Sequence, residues 1–139
     1  MSLLQQCYAL TCYIVITCTF IHQCADEEVQ SPVLKQLMVE IFPGGLCKSK
    51  DWYGKAFYPK LMRCAGSRVG RQGSCVGDSG GPLSCLSFRD GRWRLAGVTS
   101  FSGKICGAPK RPAVYVRVPR LLNWIRRFIK RVYIHIYIQ

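Results

Sequence analysis

A chain of 139 residues, 49% hydrophobic and 19% charged, has the apolar content for one core and is not compositionally disordered. Its net charge of +13, from 20 Lys and Arg against 7 Asp and Glu, raises nucleic acid as a partner. The basic residues are dispersed, however, with no binding motif around them, so no nucleic acid is expected. Anionic glycans or an acidic protein surface stay open as partners.

Thirteen Gly and seven Pro favour turns over long helices and point to a β-rich fold. Nine Cys in so short a chain imply an oxidising, secreted setting. Nine is odd, so at least one is unpaired, intermolecular or outside the folded part. Cys7, Cys12, Cys18 and Cys24 cluster near the start, while Cys47, Cys64, Cys75, Cys85 and Cys106 spread through the Gly-rich middle like a disulfide framework. No Cys-x-x-Cys pair occurs and neither His22 nor His135 has ligand spacing, so no metal and no cofactor is expected.

Met1 to Ala25 contain no Lys, Arg, Asp or Glu, and Tyr8 to Ile21 form a mostly apolar run followed by Asp26-Glu27-Glu28. Three readings are open. The length suits a signal-peptide h-region, and falls short of the roughly 20 apolar residues of a membrane span. The third is a remnant of a core strand. No basic residue precedes the run, and its Cys and Thr weaken its hydrophobicity. Residues 1–30 are thus expected to be an uncharged apolar leader, signal-like or spurious, with a linker.

Ser31 to Ile41 has the alternating, β-branched look of a strand ending at Pro43-Gly44-Gly45. Leu83 to Phe88 and Arg92 to Ser100 flank Arg89-Asp90-Gly91, a hairpin signal. Ala113 to Val118 suits one more strand. From Pro119 the period changes: Leu121, Leu122, Ile125, Phe128, Ile129 and Val132 recur at three- and four-residue steps between Arg120, Arg126, Arg127, Lys130 and Arg131. An amphipathic helix packing one face on the core is expected there. Val132 to Gln139 reads as an apolar, β-prone tail.

The strongest signal is Gly77-Asp78-Ser79-Gly80-Gly81-Pro82. A serine hydroxyl is a poor nucleophile until a base takes its proton and donors stabilise the oxyanion. Glycine at position 77 lets the backbone turn so that the amides of Gly77 and Ser79 face one point, and Gly80 and Gly81 keep bulk away from the hydroxyl. Around it lie Met62-Arg63-Cys64-Ala65-Gly66, Ser74-Cys75, Pro82-Leu83-Ser84-Cys85, Gly97-Val98-Thr99-Ser100-Phe101, Cys106, Pro112 to Val118 and Asn123-Trp124-Ile125. In this order and spacing the segments resemble the C-terminal half of the chymotrypsin/trypsin family of serine endopeptidases, from about Ser31 to about Phe128.

The resemblance implies an all-β fold: a single antiparallel Greek-key barrel over 31–128 ending in a C-terminal α-helix, with 129–139 a basic, apolar tail. It implies Ser79 as nucleophile, Gly77 and Ser79 as oxyanion amides, and Asp78 as the carboxylate that pairs with the amine freed by activation. It implies the disulfides Cys47–Cys64 and Cys75–Cys106, with Cys85 reaching Cys12 or Cys18. The substrate pocket would be set by Gly73 at its base and by Ser102 and Ala113 on its walls. With no carboxylate at position 73, small or medium apolar side chains are expected in the pocket. Phe101 stands where the family usually has Trp.

The family's triad also requires a histidine and an aspartate before the serine. His135 follows Ser79, and His22-Gln23-Cys24 matches the family's Ala-Ala-His-Cys only in part. No Ile-Val-Gly-Gly activation sequence occurs, so Asp78 is expected to lack its amine and its loop to be zymogen-like. The expectation is a serine-endopeptidase homologue, truncated and inactive as written, acting on protein or peptide only if complemented. The alternative is a non-catalytic pseudoprotease that binds a partner through its basic surface.

Overall fold

The computed structural model describes residues 12–16, 33–67, 69–70 and 72–137, with side chains for those between 33 and 130. Its elements are β1 (Cys12–Ile16), β2 (Lys35–Ile41), the short helix α1 (Gly44–Cys47), β3 (Met62–Gly66), β4 (Pro82–Leu86), β5 (Trp93–Phe101), β6 (Ala113–Arg117) and α2 (Val118–Tyr137). The strands close an antiparallel barrel in the order β1-β2-β3-β6-β5-β4. Three consecutive strands are followed by a fourth that returns beside the first, the Greek-key arrangement expected.

The period of two along each strand sorts side chains between two cores. In β2, Leu37, Val39 and Ile41 turn inward while Gln36, Met38 and Glu40 are exposed. In β6, Ala113 and Tyr115 join Val39, Ala65, Leu83 and Cys85 in one cluster. Val114, between them, faces the other way and packs with Phe42, Cys47, Phe57 and Cys64. The segment from α1 to Phe57 therefore covers the outer face of β3 and β6. The Cys47–Cys64 disulfide, with Cα atoms 6.6 Å apart, fastens that cover to β3.

The β4–β5 hairpin forms where its turn residues place it. Gly91 has φ 63°, and Asp90 is paired with Arg94, one of the two guanidinium contacts being 2.9 Å. That hydrogen bond and charge hold the Asp90 carboxyl far below its ordinary range.

Two elements differ from the sequence expectation. Cys12–Ile16 is the strand that closes the barrel, paired with both β2 and β4; the rest of the proposed leader lies outside the described residues. The helix from Pro119 continues through the β-prone tail to Tyr137. A helix already nucleated gains one hydrogen bond per added residue, which outweighs the weak strand preference of Val, Ile and Tyr there.

Candidate active site

Ser79 lies on the connection from β3 to β4, the return stroke of the Greek key, and is exposed beside exposed Gly77. Four hydrogen bonds hold Gly80 and Gly81 of this connection. Gly80 donates to the Thr99 carbonyl at 3.0 Å and Gly81 to the Asp78 carbonyl at 3.0 Å. Thr99 in β5 returns two bonds to the Gly81 carbonyl, from its amide at 2.9 Å and its hydroxyl at 3.0 Å. The serine is thereby clamped to a barrel strand by main-chain bonds, reinforced by the Thr99 hydroxyl. The Cys75–Cys106 disulfide, with Cα atoms 5.3 Å apart, ties the same connection to the β5–β6 loop. Cys85 is also disulfide-bonded and lies across from Cys12 in the β1–β4 register; Cys18, and the side chain of Cys12, fall outside the described residues.

Gly77 has φ 93° and Gly80 φ 82°, the left-handed region that side-chain-bearing residues rarely adopt. Among the described residues, no protein acceptor takes the N–H of Gly77 or of Ser79. Gly81 is required for a different reason: a Cβ there would stand 2.9 Å from the Asp78 carbonyl oxygen. Gly81→Ala is expected to push the Asp78–Ser79 segment outward at a cost of about 1–3 kcal/mol. A fall in the urea midpoint at unchanged m-value would show it.

Asp78 is 4% exposed, and its Oδ2 accepts the Cys75 amide at 2.8 Å while its own amide donates back to the Cys75 carbonyl. The sequence left this carboxylate without compensation. The structure closes a turn on it, because a buried carboxylate must find donors and the Cys75 amide, three residues upstream, is one of them.

A cleft of about 250 Å³ opens beside the serine, lined by Ser74, Val76, Ser79, Phe101 and Ser102 among others, with no charged residue on its walls among the described residues. Of the pocket residues the sequence proposed, Ser102 lines it. Gly73 stands next to Ser74 but does not line the cleft, and Ala113 is buried in the barrel core. Sequence reasoning missed Ser74 as a lining residue. Its hydroxyl meets the Tyr115 hydroxyl at 2.9 Å with both residues buried. An internal hydroxyl pair of this kind has no local sequence signal, since its partners lie on different elements.

Burial pushes the Tyr115 phenol up to about 12, opposed by the Ser74 hydrogen bond and assisted by the Asp78 charge. Below pH 10 the phenol is protonated in folded and unfolded chains alike. Between pH 10 and 12 the unfolded chain releases its proton first, so stability falls as pH rises. A loss of about 1.4 kcal/mol by pH 11 is expected from this group. Tyr115→Phe should flatten the pH dependence of the urea midpoint over that window. Tyr53, likewise raised to about 12 by burial, contributes in the same direction.

Neither histidine adds to this site as described: His22 lies outside the described residues, and so does the side chain of His135. No cluster of His, Cys, Asp and Glu fit to hold a metal occurs among the described residues.

An antiparallel Greek-key barrel that presents an exposed serine on a glycine loop beside a cleft is the arrangement of a serine-peptidase barrel. The trypsin family model matches residues 15–125, and the chain belongs to that family. It is 43% identical over 99 residues to "Transmembrane protease serine 7" of Mus musculus, covering 71% of this chain and 11% of that protein. It is 41% identical over 105 residues to "Transmembrane protease serine 5" of Homo sapiens, covering 75% and 22%. The chain therefore spans about a tenth to a fifth of the length of the curated relatives it matches.

Proposed function

We propose that this chain is the nucleophile-bearing barrel of an extracellular serine endopeptidase. Ser79 attacks the scissile carbonyl, the amides of Gly77 and Ser79 receive the oxyanion, and Asp78 anchors the turn that aims them. The observation that carries this reading is the exposed Ser79 clamped at the cleft beside two amides with no acceptor among the described residues. The Cys47–Cys64 and Cys75–Cys106 bonds support an oxidising compartment.

A hydroxyl without a positioned base stays protonated at neutral pH. The 139 residues alone are therefore proposed to lack peptidase turnover, which requires a histidine and an aspartate held against Ser79 by another stretch of polypeptide. The absence of charge on the cleft walls among the described residues supports a small or medium apolar side chain on the acyl side of the scissile bond, at a discrimination of about 1–3 kcal/mol.

The test is hydrolysis of a peptide panel by this chain alone and by the chain joined to a family barrel bearing the histidine and aspartate. Cleavage after Ala or Val by the joined protein only is the expected result. Preferential cleavage after Lys or Arg would sink the pocket assignment, and turnover by the lone chain would sink the need for an added base.

A further inference from the structure

We propose that a cationic rim beside the cleft takes acidic side chains of a peptide substrate, on the acyl side of its scissile bond. This rests on the cleft beside Ser79 receiving the acyl-side residue, as in the proposed function. The basic residues are dispersed along the sequence, but folding gathers five of them from two distant segments. Lys48 and Lys50 belong to the cover of the outer core, and Lys104, Lys110 and Arg111 to the β5–β6 loop. Arg111 joins the two. Its Nη1 donates to the Asp51 carbonyl at 2.7 Å and to the Lys110 carbonyl at 2.9 Å. Its guanidinium carbon stands 5.6 Å from the centre of the Tyr53 ring, and the Tyr53 hydroxyl donates to the Pro112 carbonyl at 2.5 Å. These hydrogen bonds end on neutral main-chain carbonyls, so they fasten the segments together without cancelling the charge. Residues 48–53 and 103–112 hold a single carboxylate, that of Asp51, so cations outnumber it five to one.

Two contacts place the rim at the cleft. Tyr53 meets Phe101 edge-on with ring centroids 5.6 Å apart. The Arg111 stem lies against Gly103, where an added Cβ would stand 2.7 Å from the Arg111 Cβ. Phe101 and Gly103 both line the cleft. A peptide whose acyl-side residue fills the cleft can run its preceding residues over this wall onto the rim. Lys48, Lys50, Lys104 and Lys110 are exposed, and each exposed ion pair they form is worth at most about fivefold in affinity. A sulfated glycan would answer the same charge but leave the adjoining cleft empty, whereas an acidic peptide engages both.

The experiment measures fluorescence anisotropy of a labelled peptide carrying Asp and Glu before an Ala, and of its Asn and Gln counterpart, on the full chain. The acidic peptide is expected to bind about tenfold more tightly at low salt, an advantage that shrinks as salt screens exposed charge. Lys104→Gln with Lys110→Gln should remove about five- to tenfold of that preference. Arg126→Gln with Arg127→Gln, which takes the same charge from α2, should leave it within about twofold. The chain joined to a histidine- and aspartate-bearing barrel should show the same preference in kcat/KM. Equal binding of the two peptides, or equal losses from the two variant pairs, overturns the rim and leaves only diffuse attraction by the net charge. Binding of a sulfated oligosaccharide through these lysines, with no preference for the acidic peptide, also overturns it and assigns the rim to a glycan. A joined protein that prefers the acidic peptide in binding but hydrolyses neither would support the rim and sink the peptidase reading instead.

Discussion

Ser79→Ala is expected to lower peptide turnover by about 10⁴–10⁶-fold in the chain joined to a histidine- and aspartate-bearing barrel. The size of the effect follows from what one hydroxyl does. In the proposed function it forms the covalent bond that splits acyl transfer into two easier steps, and without it only the oxyanion amides and substrate binding would still accelerate the reaction. Ser79 is exposed, and its clamp is made by the main chain of Gly80, Gly81 and Thr99. Stability should therefore move by no more than about 0.5 kcal/mol. Measuring turnover and the urea midpoint on the same variant separates a chemical loss from a folding loss. A drop in both would mean that the serine side chain holds the loop together.

Phe57→Ala is expected to cost about 3–5 kcal/mol. Phe57 is 0% exposed and fills the outer cluster between Phe42, Cys47, Cys64 and Val114. Truncation leaves a ring-sized void against a disulfide that cannot move inward, so little relaxation is available. Domains of this size have about 5–15 kcal/mol in hand, and a melting point lower by about 10–20 °C follows. Phe88, 64% exposed near the β4–β5 turn, is the control: its replacement by Ala should stay within about 0.5 kcal/mol. Equal losses at the two positions would contradict the assignment of Phe57 to a packed cover.

What the sequence made legible was local. Arg89-Asp90-Gly91 specifies the β4–β5 turn by its own chemistry, and Pro119 with the three- and four-residue apolar steps specifies where α2 begins. The glycine pattern around Ser79 marked a tight loop because glycine answers a local demand there, such as the close approach at Gly81. Cys12–Ile16 was legible as a barrel strand only as one of three open readings. An apolar β-branched run looks the same in a leader and in a core, and only its pairing with β2 and β4 distinguishes them. The cleft was half legible for the same reason. Ser102 lines it, while Ala113 turns into the core because the β6 period of two, set by pairing with β3, points it there.

The most direct measurement is labelling with a fluorophosphonate probe, which reports whether the serine is activated without requiring a substrate. The chain alone should remain unlabelled. The joined protein should carry the probe on Ser79, located by mass spectrometry of its peptides, and lose it in Ser79→Ala. Labelling of Ser79 in the lone chain would contradict the need for an added base, and labelling elsewhere in the joined protein would contradict Ser79 as the nucleophile.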